Sequence, residues 1–175
     1  MPASISPADP ADAPALTAIA HSAKGHWGYP KEWIFAWRDD LTLDQTYIRS
    51  HVVHAIRDDD GLLGFYSLVL LDPSEHGWDL DHLWVVPEAM GRGFGRALFE
   101  HAVAQALRRG ASRLRIMSDP HAEEFYQRMG ARTVGRLDAT IGGVERWLPE
   151  MELVLQDVPA PAQAPTTTQR SPGCP

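Results

Sequence analysis

Three glycines at alternate positions, Gly91, Gly93 and Gly95, sit in the run Val85-Val-Pro-Glu-Ala-Met-Gly-Arg-Gly-Phe-Gly-Arg-Ala-Leu98, where an apolar strand pattern gives way to a helical one. Such a junction suits an anion. The first N–H groups of a helix lack intrahelical partners, the helix dipole favours negative charge, and glycine lets a ligand approach the backbone. Arg92 and Arg96 add positive charge beside it. Two named phosphate motifs fail here. A Walker A loop needs Gly-Lys-Ser/Thr, and no lysine is present. The dinucleotide fingerprint needs G-x-G-x-x-G, whereas this stretch reads G-x-G-x-G and lacks a clear ribose-binding acid about 20 residues on. A turn that only packs a helix against a sheet explains the glycines equally well.

Other reactive types cluster around this junction. Upstream, strand alternation over Trp78 to Val86 puts Asp79, Asp81, Leu83 and Val85 on one face and His82, Trp84 and Val86 on the other. A carboxylate of ordinary pKa, about 3.9, is a weak base for an ammonium. Asp81, and after it Asp79, therefore fits amine orientation or a water relay as well as proton abstraction; a solvated pair of acids is the plain alternative. His82 reads as packing. Downstream, the Tyr126 phenol, with an ordinary pKa of about 10, can donate a proton without ionising at neutral pH. By position alone, beside Phe125, a half-buried core tyrosine is the favoured reading. His26, Trp27, Tyr29 and Trp33, with Phe35 and Trp37 beyond them, could wall a pocket for a planar or apolar amine, or for an alkylammonium through cation–π contact. Core packing accounts for at least half of them. Asp72 and Glu75 would favour a cationic acceptor, while Arg146 could reach an acceptor carboxylate or make a surface salt bridge. His51 and His54 alternate across a strand with no supporting ligands, so no metal is expected.

The elements that must hold these groups follow from periodicity. A short strand at Ser4 to Ser6 precedes a helix from about Ala11 to Lys24 with Leu16, Ile19 and Ala20 as its stripe. A second helix follows Pro30, with Trp33, Ile34 and Trp37 on one side, and a helical turn covers Asp44 to Arg49. His51–Arg57 and Leu62–Leu71 form a hairpin through Asp-Asp-Asp-Gly. From Gly93 to Arg109 the period is helical: Phe94, Leu98, Ala102 and Ala106 in one row, Phe99, Val103 and Leu107 beside it, with Gly110 as the stop. A strand at Leu114 to Met117 leads to a helix capped by Asp119 and closed by Gly130. Strands at Thr133 to Leu137 and Leu148 to Leu155 complete the order. This is an α/β (α+β) domain: one central, mostly antiparallel mixed sheet flanked by helices.

Composition sets the frame. With 175 residues, 44% apolar types and six tryptophans, the chain suits one packed domain, expected over residues 1–156. Residues 157–175, rich in Pro, Ala and Thr, are expected to be a disordered tail. The net charge of −7 argues against a general nucleic-acid or anionic-membrane surface. The single cysteine, Cys174, permits neither an intramolecular disulfide nor a cysteine metal site. With no signal-peptide pattern and no apolar run of about 18 residues, a cytoplasmic protein is expected.

The run Leu80 to Leu98, an apolar strand, Val-Val-Pro and then the glycines opening a long helix, resembles the acyl-coenzyme A motif of the GNAT family of N-acetyltransferases. A second element, Asp119-Pro-His-Ala122-Glu-Glu-Phe-Tyr126-Gln-Arg-Met-Gly130-Ala, resembles the family's Asn-x-x-Ala-x-x-x-Tyr-x-x-x-Gly-Phe and lies in the same order. Met90 stands where the family often has Gln or Arg, and Asp119 and Ala131 replace Asn and Phe. The resemblance implies a fold, acetyl-CoA as cosubstrate, and a small-molecule amine acceptor. A protein N-terminal or lysine acceptor, or a non-catalytic acyl-CoA-binding module, is the alternative. It also implies cofactor-binding residues: Trp84, Val85, Val86, Met90, Gly91, Arg92, Gly93, Phe94, Gly95, Arg96, Asp119, Ala122 and Tyr126. Val85 N–H would be the oxyanion donor, Tyr126 the general acid, and Asp81 or Asp79 the acceptor-side carboxylate. His26, Trp27, Tyr29, Trp33 and Arg146 would bind the acceptor. A homodimer is compatible with the family; neither nucleic acid nor membrane is expected as a partner.

Overall fold

The computed structural model describes residues 2–71 and 77–155. Asp72, Glu75, Cys174 and the expected tail fall outside the described residues. Twelve regular elements follow one another: β1 (Ser4–Pro7), α1 (Ala13–His26), α2 (Lys31–Ala36), α3 (Gln45–Ser50), β2 (Val52–Asp58), β3 (Gly61–Leu70), β4 (Gly77–Val85), α4 (Phe94–Arg108), β5 (Arg113–Met117), α5 (Glu123–Arg128), β6 (Arg132–Ile141) and β7 (Val144–Val154). The strands form one seven-stranded sheet in the order β1-β2-β3-β4-β5-β7-β6. Only β4 and β5, linked through α4, run parallel.

Both sheet faces are covered, and each has its own core. Leu16, Ile19 and Ala20 of α1 and Ile48 of α3 pack on Val53, Ala55 and Phe65 on one face. Leu98, Phe99, Ala102 and Ala106 of α4 pack on Tyr66, Leu68, Leu80, Leu114 and Met151 on the other. The sequence row on α4 is thus the buried row, except that Phe94 and Leu107 are only half-buried. Each large apolar chain so buried stabilises the fold by about 1.5–3 kcal/mol.

Two departures from the sequence expectations matter for the site. First, β4 carries a bulge: Leu80 pairs with Leu68 and His82 with the preceding Ser67, leaving Asp81 without a partner. Simple alternation therefore fails along β4. Leu80 and Val85 join the α4-side core, Trp84 packs with the α1-side core, and Asp81 is brought beside His82 instead of opposite it. Second, the last two strands are longer than their apolar runs, joined by Gly142 and Gly143 at φ +56° and +76°. Two consecutive positive φ values define the tight turn whose twist matches a hairpin, and glycine adopts them without steric cost. Pairing across the turn extends both strands through polar residues that carry no strand period.

Candidate active site

The parallel pair β4–β5 creates the site by coming apart. Its pairing is confined to Gly77–Asp79 against Arg113–Arg115, although β4 runs on to Val85 and β5 to Met117. A cleft of about 520 Å³ opens beyond, lined by Leu80, Asp81, Leu83, Trp84 and Val85 from β4 and Met117 from β5. Its far walls are the glycine loop and α5. Val86 N–H is bonded to Leu63 C=O at 2.9 Å, on the β3 side. Backbone alternation therefore turns Val85 N–H toward the cleft.

At the loop, Gly91 and Gly93 have φ of +75° and +89°, and Gly93 is the N-cap of α4. A Cβ at either would meet no atom within 4 Å, so the glycines are demanded by their positive φ and not by crowding, while the first N–H groups of α4 lack intrahelical partners. Gly95 differs: a Cβ there would lie 3.7 Å from the Phe125 ring, where α4 closes on α5. Met90, Gly91, Gly93, Gly95, Arg96, Asp119, Ala122 and Tyr126 all line the cleft. Arg92 instead lies over the Phe94 ring, 5.0 Å from its centroid. An anion and an amide-bearing chain both fit here, the first on uncovered N–H groups, the second on the unpaired edge of β4.

Tyr126 is buried in the cleft wall against Phe99 and Phe125, ring centroids 5.8 and 5.1 Å away. Burial, with the Asp119 charge adding to it, pushes its phenol well above the ordinary value, so it stays protonated.

Asp81 is held by groups the sequence did not single out. Its carboxylate accepts a hydrogen bond from Tyr47 OH, which lies 2.8 Å from Ser67 Oγ. His82 Nε2 is 3.5 Å from the same carboxylate, and His82 Nδ1 accepts from Trp84 Nε1 at 2.9 Å. That second bond fixes the tautomer: the neutral ring carries its proton on Nε2, toward Asp81. Burial lowers the His82 pKa despite Asp81, which keeps the ring neutral. Asp79 is placed otherwise. It pairs with Arg115 Nη2 at 3.0 Å and does not line the cleft.

Asp119 is more than a cap. It accepts from His121 N–H at 3.0 Å, opening the turn into α5, and its carboxylate also binds Lys24 Nζ and Tyr29 OH, with Arg146 Nη2 at 3.8 Å. Burial works against that carboxylate, but the Lys24 ammonium holds its pKa below the usual value. Burial pushes the Tyr29 phenol up to about 12. Arg146 lies 5.2, 6.0 and 4.9 Å from the ring centroids of Tyr29, Trp33 and Trp37. The faces of Tyr29, Trp33 and Trp37 that sequence offered to an alkylammonium are thus met by the chain's own cations. Tyr29, Trp33 and Arg146 form a wall behind Asp119. Trp27 alone of the expected acceptor residues lines the cleft, stacked on His121 at 5.2 Å, with His26 edge-on to it outside.

Lys24, Tyr47 and His121 were not legible as site residues. Tyr47 and Lys24 meet partners 34 and 95 positions away, for which no local pattern exists. His121 lies inside the second motif and only its stacking reveals it.

A strand pair opened into a cleft, with a glycine loop at its mouth, has the form that the sequence resemblance implied. The Acetyltransferase (GNAT) family matches residues 15–131, and the chain belongs to it. It is accordingly an acyltransferase with acetyl-CoA as cosubstrate. No curated protein matches significantly. Solved structures share the fold. A GCN5-related N-acetyltransferase from Rhodopseudomonas palustris superposes with a TM-score of 0.71 at 23% identity, covering 87% of this chain and 95% of that one. The PaiA N-acetyltransferase of Thermoplasma acidophilum, in complex with coenzyme A, gives 0.67 at 18%, covering 88% and 99%. A spermidine N-acetyltransferase chimera of the Vibrio cholerae and human enzymes gives 0.69 at 15%, covering 89% and 97%. Among the described residues, no helix is long and apolar enough to cross a membrane, and no group of three or more His, Cys, Asp or Glu could hold a metal.

Proposed function

We propose that this acyltransferase acetylates the amine of a small molecule in the cytoplasm by direct attack, with Tyr126 as the proton donor and Asp81 as the acceptor-side carboxylate. The observation that carries the reading is the shared cleft: Val85 N–H, the glycine loop, Tyr126 and Asp81 face one volume. Acetyl-CoA, when bound, supplies the acetyl thioester. The N–H groups of Gly91 to Arg96 would hold its pyrophosphate, and the segment Trp84 to Val86, at the cleft-side end of β4, would hold its amide-bearing arm. Val85 N–H stabilises negative charge developing on the acetyl oxygen, in a position fixed before reaction begins. Tyr126, still protonated, delivers a proton to the departing sulfur.

Asp81 orients the incoming amine and draws off its proton, directly or through water. Its two neighbours, Tyr47 and His82, hold the carboxylate in one geometry. Trp27 and His121, stacked on each other, line the same cleft and favour an acceptor with a flat or apolar part. The spermidine N-acetyltransferase chimera among the structural neighbours is named for a small amine, which supports the small-molecule class but not a flat acceptor. A thiol-release assay with acetyl-CoA against a panel of amines, amino acids and peptides tests the proposal. Release with a small amine and loss of that release in Asp81→Asn are expected. Release only with peptide N-termini or lysines would overturn the small-molecule assignment.

A further inference from the structure

The sheet has two edges, and they differ. β1 is four residues long, too short to invite pairing, whereas β6 runs over ten residues with no lysine and no proline. Natural edge strands are usually blunted by such residues, by bulges or by a cover. The bulge in β6 lies at its start, between Thr133 and Gly135, and leaves Arg136 to Ile141 regular. The same hairpin exposes large apolar side chains: Val134 is 61% exposed, Leu137 49%, Val144 48% and Trp147 41%.

We infer that a second copy of this chain covers this edge, the two β6 strands pairing antiparallel about a two-fold axis at Leu137. Backbone direction comes first. The two-residue turn makes Ile141–Val144 the first hydrogen-bonded pair with β7, so Ala139 and Leu137 also face β7. Arg136 and Asp138 therefore turn their N–H and C=O groups outward. Pro149, the β7 partner of Arg136, agrees: it has no N–H, and its C=O accepts from Ser118 N–H on the β5 side. Outward groups must meet outward groups, which limits a symmetric pairing to axes centred on a residue.

Charge then selects among them. An axis at Arg136 opposes two arginines, and one at Asp138 opposes two aspartates. An axis at Leu137 sets Arg136 of each copy across from the partner's Asp138, twice, and Leu137 against its own symmetry mate. Both charged side chains are exposed, 62% and 76%, and pair with each other at 2.8 Å on the strand surface. Trp147, 5.9 Å from Arg136, flanks the charged row on the same face.

The test is a charge-swap pair read by sedimentation velocity. The wild-type chain should run at twice its 19.4 kDa mass. Arg136→Asp and Asp138→Arg, each alone, set like charges opposite one another at both contacts and should weaken association by about 10- to 100-fold. An equimolar mixture of the two should associate again, because each variant then faces its complement. A cooperative melt and a retained acetyl-CoA thermal shift in the single variants confirm that they fold. A monomeric wild type, single variants that associate as well as wild type, or a mixture that fails to recover would each overturn the inference.

Discussion

Asp81 shows what a single residue gains from a bulge. Regular alternation would have carried its side chain away from His82; the extra residue in β4 brings the two together and lets Tyr47 reach the carboxylate across 34 positions of sequence. Removing that hydroxyl in Tyr47→Phe is expected to lower kcat/KM for the acceptor about 10-fold, the scale of one oriented hydrogen bond to a charged group. The acetyl-CoA thermal shift should not change. An equal loss in cofactor binding would mean that Tyr47 merely supports the fold. Gly91, Gly93 and Tyr126 were legible in sequence because each sits in a local motif. Tyr47 and Lys24 were not, because their partners are brought close only by the tertiary fold, and Asp81 was put on the face opposite His82 because a bulge leaves no mark in side-chain periodicity.

Among elements, α4 was the most legible. Its apolar rows repeat every 3.6 residues over four turns, and the structure buries those rows. The β6–β7 hairpin was the least. Its Gly-Gly turn was available as a signal, but the flanking residues, Asp138 to Thr140 and Glu145 to Arg146, are held as strand by pairing alone. The junction into α4 offers a sharper test of element-level reasoning. Gly93→Ala places a Cβ at φ +89°, a conformation that costs an L-residue about 1–2 kcal/mol. The melting temperature should fall, and the acetyl-CoA thermal shift should shrink because the N–H groups at the helix start move. A variant that melts and binds like wild type would show that the loop has freedom the proposed cradle does not allow.

The whole molecule responds to pH through histidines packed inside it. His54 stacks on Tyr66 at 5.4 Å, with His101 4.8 Å away and bonded to Tyr66 OH at 2.8 Å. Burial, with His101 and the Arg108 and Arg109 charges adding to it, lowers the His54 pKa from 6.5 to about 4. His82 and His101 are lowered as well. In that window the unfolded chain binds protons that the folded chain refuses, so this contribution is present above pH 6.5 and lost as pH falls toward 4. The melting temperature should therefore drop on acidification through this range, and less steeply in His54→Phe, which keeps the ring stack. An equally steep drop in that variant would remove His54 as a source. The chain order of the elements and a mostly antiparallel sheet flanked by helices were legible from the alternation of strand and helix periods, since each period dictates which face must be covered. The opening between β4 and β5 was not legible, for it depends on where pairing stops.

Tyr126→Phe isolates the proton donor, assayed by thiol release with the acceptor that the amine panel yields and by thermal shift with acetyl-CoA. Loss of a general acid costs about 10²-fold or more in turnover, while the phenyl ring keeps its contacts with Phe99 and Phe125. That fall in kcat, with the acetyl-CoA shift retained, is the expected result. Unchanged turnover would contradict it.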